Sequence, residues 1–257
     1  MPLCIPSSSS KTSSSPYDPT NKSNRISDGG YPHGPANGGG MMSGSAGRTK
    51  KPVNRKLVVL GDGACGKTSM LTVFTQGYFP TDYEPTVFEN FVETLTVDGQ
   101  AVELSLWDTA GQEEFDRLRS LSYADTHVIM ICFSVERPES LENVEAKWIG
   151  EVDHYCPDVM IVLVALKCDL REDEVANRKL IERGQRGILS YEDGLEVAKR
   201  IRAHRYLECS AKMNRGIRQA IEETARVALS RTKPAQVRTA EPMGSPRKEK
   251  GGGCVIA

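Results

Sequence analysis

A chain of 257 residues is long enough for one domain with a full core and extended tails. Its 39% hydrophobic and 26% charged content fits a globular protein rather than a disordered or fibrous one. The net charge of −1 hides a split: residues 1–56 carry +6, residues 231–257 carry +4, and the stretch between them carries −11. An acidic body with basic tails argues against a nucleic-acid-binding body and suits tails that visit an anionic membrane.

Residues 1–52 contain eleven Ser, eight Gly and seven Pro, half of the segment. Such a stretch has little to bury against its ordering entropy and is expected to be a disordered extension. It shows no signal peptide, because Met1–Pro6 runs into serines and not into an apolar segment. The seven cysteines are odd in number and show no CxxC, which reads as reduced, cytosolic thiols. No apolar run approaches the roughly 18 residues of a membrane span.

From Lys56 onward, apolar strand-like runs alternate with amphipathic helical stretches. The expected strands are Lys56–Leu60, Phe91–Val97, Ala101–Trp107, Val128–Phe133, Met160–Leu166 and Tyr206–Glu208. Asp98-Gly99 between two alternating runs predicts a hairpin and so one antiparallel pair. Helical segments at Glu139–Tyr155, Glu192–Arg202 (with Ser190 as N-cap) and Ile217–Leu229 separate other strands. The expected fold class is α/β: a mostly parallel six-stranded sheet with one antiparallel strand and helices on both faces. The domain is expected over residues 53–230, followed by a flexible basic tail over 231–257.

Gly61-Asp62-Gly63-Ala64-Cys65-Gly66-Lys67-Thr68 has the form GxxxxGK[ST] and follows the strand-like run Lys-Leu-Val-Val-Leu. In that context the backbone N–H groups curl round phosphate oxygens at a helix N-terminus. Lys67 is expected to reach the β- and γ-phosphates and the Thr68 hydroxyl to ligate Mg²⁺, with Ser69 beside it in the same nucleotide site. This is the P-loop NTPase signature, and alone it does not say which nucleotide is bound. Asp108-Thr-Ala-Gly111-Gln112-Glu113 closes the third strand. There Asp108 can hold Mg²⁺ through water, Gly111 can offer its N–H to the γ-phosphate, and Gln112 can orient the attacking water. Thr86, in the loop between these motifs, can complete the Mg²⁺ shell. Base choice falls to Lys167-Cys-Asp169 and Ser210-Ala211-Lys212, each after an apolar strand. A carboxylate accepts from both N1–H and the exocyclic amine of guanine, and adenine offers no such pair.

With all five elements in order, the chain resembles the Ras superfamily, and within it the Rho family, over about Lys56–Leu229. The stretches YEPTVFEN (Tyr83–Asn90), WDTAGQE (Trp107–Glu113), DRLRSLSY (Asp116–Tyr123) and KWIGEVDHYCPDVMIVLVALKCDLR (Lys147–Arg171) carry the resemblance, together with a charged insertion of helical character at Glu172–Gly187. The resemblance implies a G domain that binds GTP or GDP with Mg²⁺ and hydrolyses GTP slowly as a monomer. It also implies that Phe79 flanks the guanine ring and Tyr83 covers the phosphates, and that Tyr78–Phe88 and Gly111–Tyr123 are the nucleotide-sensitive switches. The implied partners are an exchange factor, a GTPase-activating protein, a dissociation inhibitor and GTP-dependent effectors. The leader and the Lys-rich Gly-Gly-Gly tail look most like a fungal Rho subgroup linked to septum and wall formation, with actin and cell polarity as the wider setting.

Two departures from the family pattern carry expectations. Leu166 stands where relatives have Asn or Thr, so a polar tie between base loop and phosphate loop is expected to be lost and GDP to leave faster than from a Leu166→Asn variant. Cys65 lies inside the phosphate loop, where a small residue filling its slot is the favoured reading over a redox sensor. His127 and His154 read as structural. Cys254-Val-Ile-Ala257 is a CaaX terminus, so a prenyl group on Cys254 is expected to anchor the chain at the cytoplasmic face of the plasma membrane, with a cytosolic pool. A P-loop kinase would need an acceptor pocket and usually an arginine-rich lid, and neither is visible. A non-hydrolysing module is disfavoured by the presence of Gly63 and Gln112. No arginine is evident to act in cis, so hydrolysis is expected to be slow until a partner supplies one.

Overall fold

The computed structural model describes residues 51–235 apart from Tyr83, Arg183, Gln185 and Thr232. The Ser/Gly/Pro-rich extension up to residue 50, the tail from residue 236, Cys254 and the phosphate-covering role of Tyr83 lie outside the described residues.

Six strands, β1 (Val53–Leu60), β2 (Phe88–Val97), β3 (Gln100–Thr109), β4 (Val128–Ser134), β5 (Met160–Leu166) and β6 (Arg205–Glu208), form one sheet in the order β2-β3-β1-β4-β5-β6. Only the β2–β3 pair is antiparallel; β1 runs parallel to β3 and β4, and β5 to β4 and β6. Asp98 and Gly99 both take positive φ (49° and 77°), the geometry of a tight hairpin turn, and the Asp98 carboxylate pairs with Arg226 at 2.7 and 2.8 Å.

The helices are α1 (Lys67–Gln76), α2 (Asp116–Ser120), α3 (Pro138–Asn143), α4 (Ile149–Tyr155), α5 (Glu174–Glu182), α6 (Tyr191–Arg200) and α7 (Ile217–Ser230). Successive strand residues point to opposite faces, so the continuous apolar runs supply two cores. Leu57, Val59 and Met130 face α1 and α7 through Met70, Leu71, Ile217 and Ile221. Val58, Leu60 and Ile131 face α3, α4 and α6 through Leu141, Trp148, Val152 and Val197. Each such fully buried side chain contributes about 1.5–3 kcal/mol, and helices on both faces are the result.

The stretch expected as one helix over Glu139–Tyr155 is continuous but not uniform. A π-helical turn, Val144–Trp148, joins α3 to α4. Ser190 caps α6 as expected: its hydroxyl accepts from the Asp193 N–H at 3.2 Å, and the Asp193 carboxylate accepts from the Ser190 N–H at 2.8 Å. Within the insertion, α5 starts where Asp173 accepts from the N–H groups of Val175 and Ala176, both at 3.0 Å. Among the described residues no helix is long and apolar enough to cross a membrane. Strand order reverses around β1, so the loops after β1, β3, β4, β5 and β6 gather at the carboxyl edge of the sheet, where open α/β sheets bind ligands.

Candidate functional site: a nucleotide cleft at the carboxyl edge of the sheet

The phosphate loop leaves β1 at Gly61, whose φ is 136°. A Cβ there would lie 2.1 Å from the Cys132 carbonyl oxygen on the neighbouring strand, so only glycine fits. The loop then passes through Ala64 at φ 60° and Gly66 at φ 106° before α1 begins at Lys67. The Lys67 ammonium arches back over the loop, 2.7 Å from the Gly61 oxygen and 2.9 Å from the Asp62 oxygen. Two residues that the sequence placed in this site turn their side chains away. The Asp62 carboxylate accepts from Trp148 Nε1 at 2.8 Å and from Asn143 Nδ2 at 2.7 Å. The Cys65 side chain is fully buried beneath the loop, with Sγ 3.9 Å from the Cys132 oxygen, and fills its slot as a small core residue.

Thr68, Thr86 and Asp108 converge. The Thr68 hydroxyl donates to Asp108 Oδ2 at 2.6 Å and lies 2.5 Å from the Thr86 hydroxyl. Asp108 is fully buried, and burial raises its carboxyl pKa to about 6 against the opposing pull of the Thr68 hydrogen bond and the Lys67 charge. Its other oxygen, Oδ1, is buried without a partner. Among the described residues no three His, Cys, Asp or Glu side chains gather as a metal cage. One carboxylate with two hydroxyls is instead the donor set of a small hard cation that draws its remaining ligands from phosphate and water.

The segment after β3 is pressed against the phosphate loop. A Cβ on Gly111 would lie 2.2 Å from the Gly63 nitrogen, and a Cβ on Gly63 would lie 3.5 Å from the Gln112 carboxamide. Arg119 of α2, which the sequence reading passed over, holds this segment from below. Its fully buried guanidinium donates to the Ala110 oxygen at 2.9 Å and to the Gln112 oxygen at 3.4 Å.

A cavity of about 660 Å³ is lined by Gly63, Lys67, Thr68, Thr86, Gly111 and Gln112, among others. A second, of about 220 Å³, is lined by Leu166, Asp169, Ala211 and Lys212, and the two share Gly66, Ser69, Phe79 and Lys167. Asp169 Oδ1 is buried there without a partner. Ser210 shapes the site from behind: it is buried, exchanges two backbone bonds with Arg215, and its hydroxyl accepts from the Met213 N–H at 3.0 Å. His127 and His154 are structural: His127 Nδ1 accepts from the Lys56 N–H at 3.2 Å, and His154 packs edge-on against Tyr155.

Leu166 makes no polar tie from its own side chain to the phosphate loop, but its neighbour makes one. Lys167, with φ 60°, sends its ammonium to the Ala64 oxygen at 3.1 Å and to Glu136 Oε1 at 2.5 Å, so a charged tie joins base loop to phosphate loop. Leu166 itself is buried, its Cδ1 3.7 Å from where a Cβ on Gly66 would sit. Arg137, also missed in the sequence, donates from Nη1 to the Gly63 oxygen at 2.8 Å. Its place just past the end of β4, the strand beside β1, was the one available signal.

The chain matches the Ras family over residues 56–230, and its sheet order and the loop after β1 fit that class of guanine-nucleotide-binding protein. It is 56% identical over 222 residues to "GTP-binding protein rho3" of Schizosaccharomyces pombe, covering 84% of this chain and all of that one. It is 61% identical over 191 residues to "GTP-binding protein Rho3" of Schizophyllum commune (74% and 92% covered) and 55% identical over 179 residues to human "Rho-related GTP-binding protein RhoB" (70% and 91% covered). The chain is a Rho-type small GTPase, close to the fungal Rho3 proteins.

Proposed function

We propose that the two joined cavities hold one guanine nucleotide with Mg²⁺, and that the chain works as a GTP-hydrolysing switch. One observation carries this reading. Of the three buried side-chain oxygens without a partner among the described residues, two are carboxylate oxygens: Asp108 Oδ1, on the carboxylate that accepts from Thr68, and Asp169 Oδ1, on a residue lining the second cavity. A buried acceptor left unmade is costly. A cation at Asp108 and the paired N–H donors of guanine at Asp169 would satisfy both.

In this reading the phosphates lie over Gly63–Thr68, and the base lies between Phe79 and the Lys167, Asp169, Ala211 and Lys212 group. Thr68 and Thr86 directly, and Asp108 through water, would hold Mg²⁺, which would supply positive charge against the phosphates. Lys67 swings from the Gly61 and Asp62 oxygens to the phosphates, and Gly111 offers its N–H to the γ-phosphate. Gln112 orients a water for in-line attack on the γ-phosphorus. The bond to the β–γ bridging oxygen breaks, GDP leaves with that electron pair, and inorganic phosphate forms. Thr86 and Gly111 then lose their contact with the γ-phosphate, and the segments around them relax, which ends recognition by effectors. An exchange factor, an activating protein and a dissociation inhibitor are the matching partner classes. A prenyl group on Cys254, aided by Arg247, Lys248 and Lys250, is the proposed membrane anchor, and polarity, actin or wall formation the proposed setting.

The test is a change of base. Asp169→Asn replaces an acceptor by an amide that donates to the 2-oxo group of xanthine, so the variant should lose retention of GDP and gain it for xanthosine diphosphate. Undiminished GDP retention would remove Asp169 from the base site.

A further inference from the structure

The Gly63–Ala64 peptide is gripped from outside the nucleotide cleft. Arg137 Nη1 lies 2.8 Å from the Gly63 oxygen. A trans peptide sets its C=O and N–H on opposite sides, so the Ala64 N–H points away from Arg137. Among the described residues the N–H groups of Gly63, Ala64 and Gly66 take no carbonyl acceptor. Ala64 has φ 60°, a left-handed backbone that L-residues seldom adopt and that lines up successive N–H groups into an anion-binding concavity. The next carbonyl, that of Ala64, is held by Lys167, and Lys167 by Glu136. Thus the dipeptide Glu136-Arg137 secures the carbonyls on both sides of the strained residue, one through Lys167 and one directly.

The mount of Arg137 is rigid. Its N–H donates to the Ser134 oxygen at 3.1 Å, and its own carbonyl accepts from the Ser140 N–H at 2.9 Å and the Ser140 hydroxyl at 2.6 Å. Pro138 follows and fixes the chain as α3 begins. A cation on a carbonyl also polarises the amide and strengthens the N–H of the same peptide as a donor.

We infer that Arg137 is a positioning residue for the phosphate loop: by holding the Gly63 carbonyl it aims the Ala64 N–H at the nucleotide's phosphates and lengthens the residence of bound nucleotide. The inference rests on the reading of the cleft as the nucleotide site. Arg137 is not thereby a finger toward the γ-phosphate, because the atom it touches lies on the outer side of the loop.

The experiment uses the full chain loaded with a fluorescent GDP analogue and the variants Arg137→Met, which keeps bulk without a donor, and Arg137→Lys, which restores cation and donor. Release from Arg137→Met should be roughly five- to tenfold faster, less than the full loss of one charge-assisted hydrogen bond because the contact reaches the nucleotide only through the loop. Release from Arg137→Lys should return to within about twofold of the unsubstituted chain. In the ¹H–¹⁵N spectrum of the GDP-bound protein, the Ala64 amide proton should move upfield in Arg137→Met and return in Arg137→Lys. Faster release with an unmoved Ala64 amide, or release unchanged in Arg137→Met, overturns the inference while leaving the site intact. Failure of the unsubstituted chain to retain the labelled GDP sinks the site reading and the inference together.

Discussion

Arg119 and Glu151 meet through two parallel bonds, Nε to Oε1 at 2.7 Å and Nη2 to Oε2 at 2.8 Å, with the guanidinium wholly buried and the carboxylate nearly so. Tyr123 donates to the same Oε1 at 2.6 Å. The burial that would lower the pKa of Arg119 is outweighed by these carboxylate contacts, and that of Tyr123 is pushed up by burial and by Glu151. Through the other arm of Arg119, helix α4 holds the carbonyls on either side of Gly111. Glu151→Gln leaves a buried cation with only Asp116 as its charged partner. The expected loss is about 2–3 kcal/mol of stability, together with slower hydrolysis as the Gln112 segment loosens. Urea unfolding checks the first, and an unchanged midpoint would refute it.

Gln112→Leu keeps the bulk beside Gly63 but removes the amide that orients water. Hydrolysis stimulated by an activating protein should fall by roughly two orders of magnitude or more, while binding of GTP persists. Phosphate release in a single turnover decides this, and normal stimulated turnover would overturn the assignment.

Chelation should speed GDP release from the unsubstituted chain by at least about tenfold, because Asp108 and the two threonines then face the phosphates without a cation. Thr68→Asn removes one of those ligands, so its release should already be fast and nearly indifferent to EDTA. A strong EDTA response in that variant would place the cation elsewhere.

Leu166→Asn exchanges a packed side chain for an amide in the same buried space. The charged tie through Lys167 is already made, so the amide brings no needed brace. The expected outcome is GDP release that is no slower than from the natural chain, with a loss of about 1–3 kcal/mol in stability. Slower release from the variant would bear out the reading drawn from the sequence.

Cys254→Ser should shift the membrane-bound fraction to the soluble pool and leave nucleotide binding unchanged. Persistent sedimentation with membranes would point to another anchor, with Cys4 next to be tested.

The parts of the site that the sequence showed are those written in one continuous run at the end of a strand. The glycines before Lys67, Asp108 after Trp107, and Lys167 with Asp169 after the Met160–Leu166 run each declare themselves locally, because a strand edge, a turn and a polar group fall in succession. Strand β2 begins at Phe88 and not at the expected Phe91, since its first residues are fixed by pairing with Trp107–Thr109 and not by their own alternation. Most of the interactions that were not legible are between distant segments. Arg119 reaches Glu151 across 32 positions, Arg137 reaches Gly63 across 74, and Trp148 reaches Asp62 across 86. Only the place of Arg137 just past β4 hints at its partner, and nothing around Asp62 shows that its carboxylate faces inward.

The π-helical turn at Val144–Trp148 explains how that carboxylate is held. Asn143 and Trp148 bond its two oxygens from positions five apart. On an α-helix, residues five apart point about 140° away from each other, whereas the wider closure of a π turn brings them to roughly the same side. The widened turn is therefore a two-pronged socket for a single side chain, taking one bond to each oxygen of an acid in the proposed phosphate loop. A deletion or substitution that rewound this stretch would withdraw one prong, and the acid at position 62 would swing outward against the incoming negative charge.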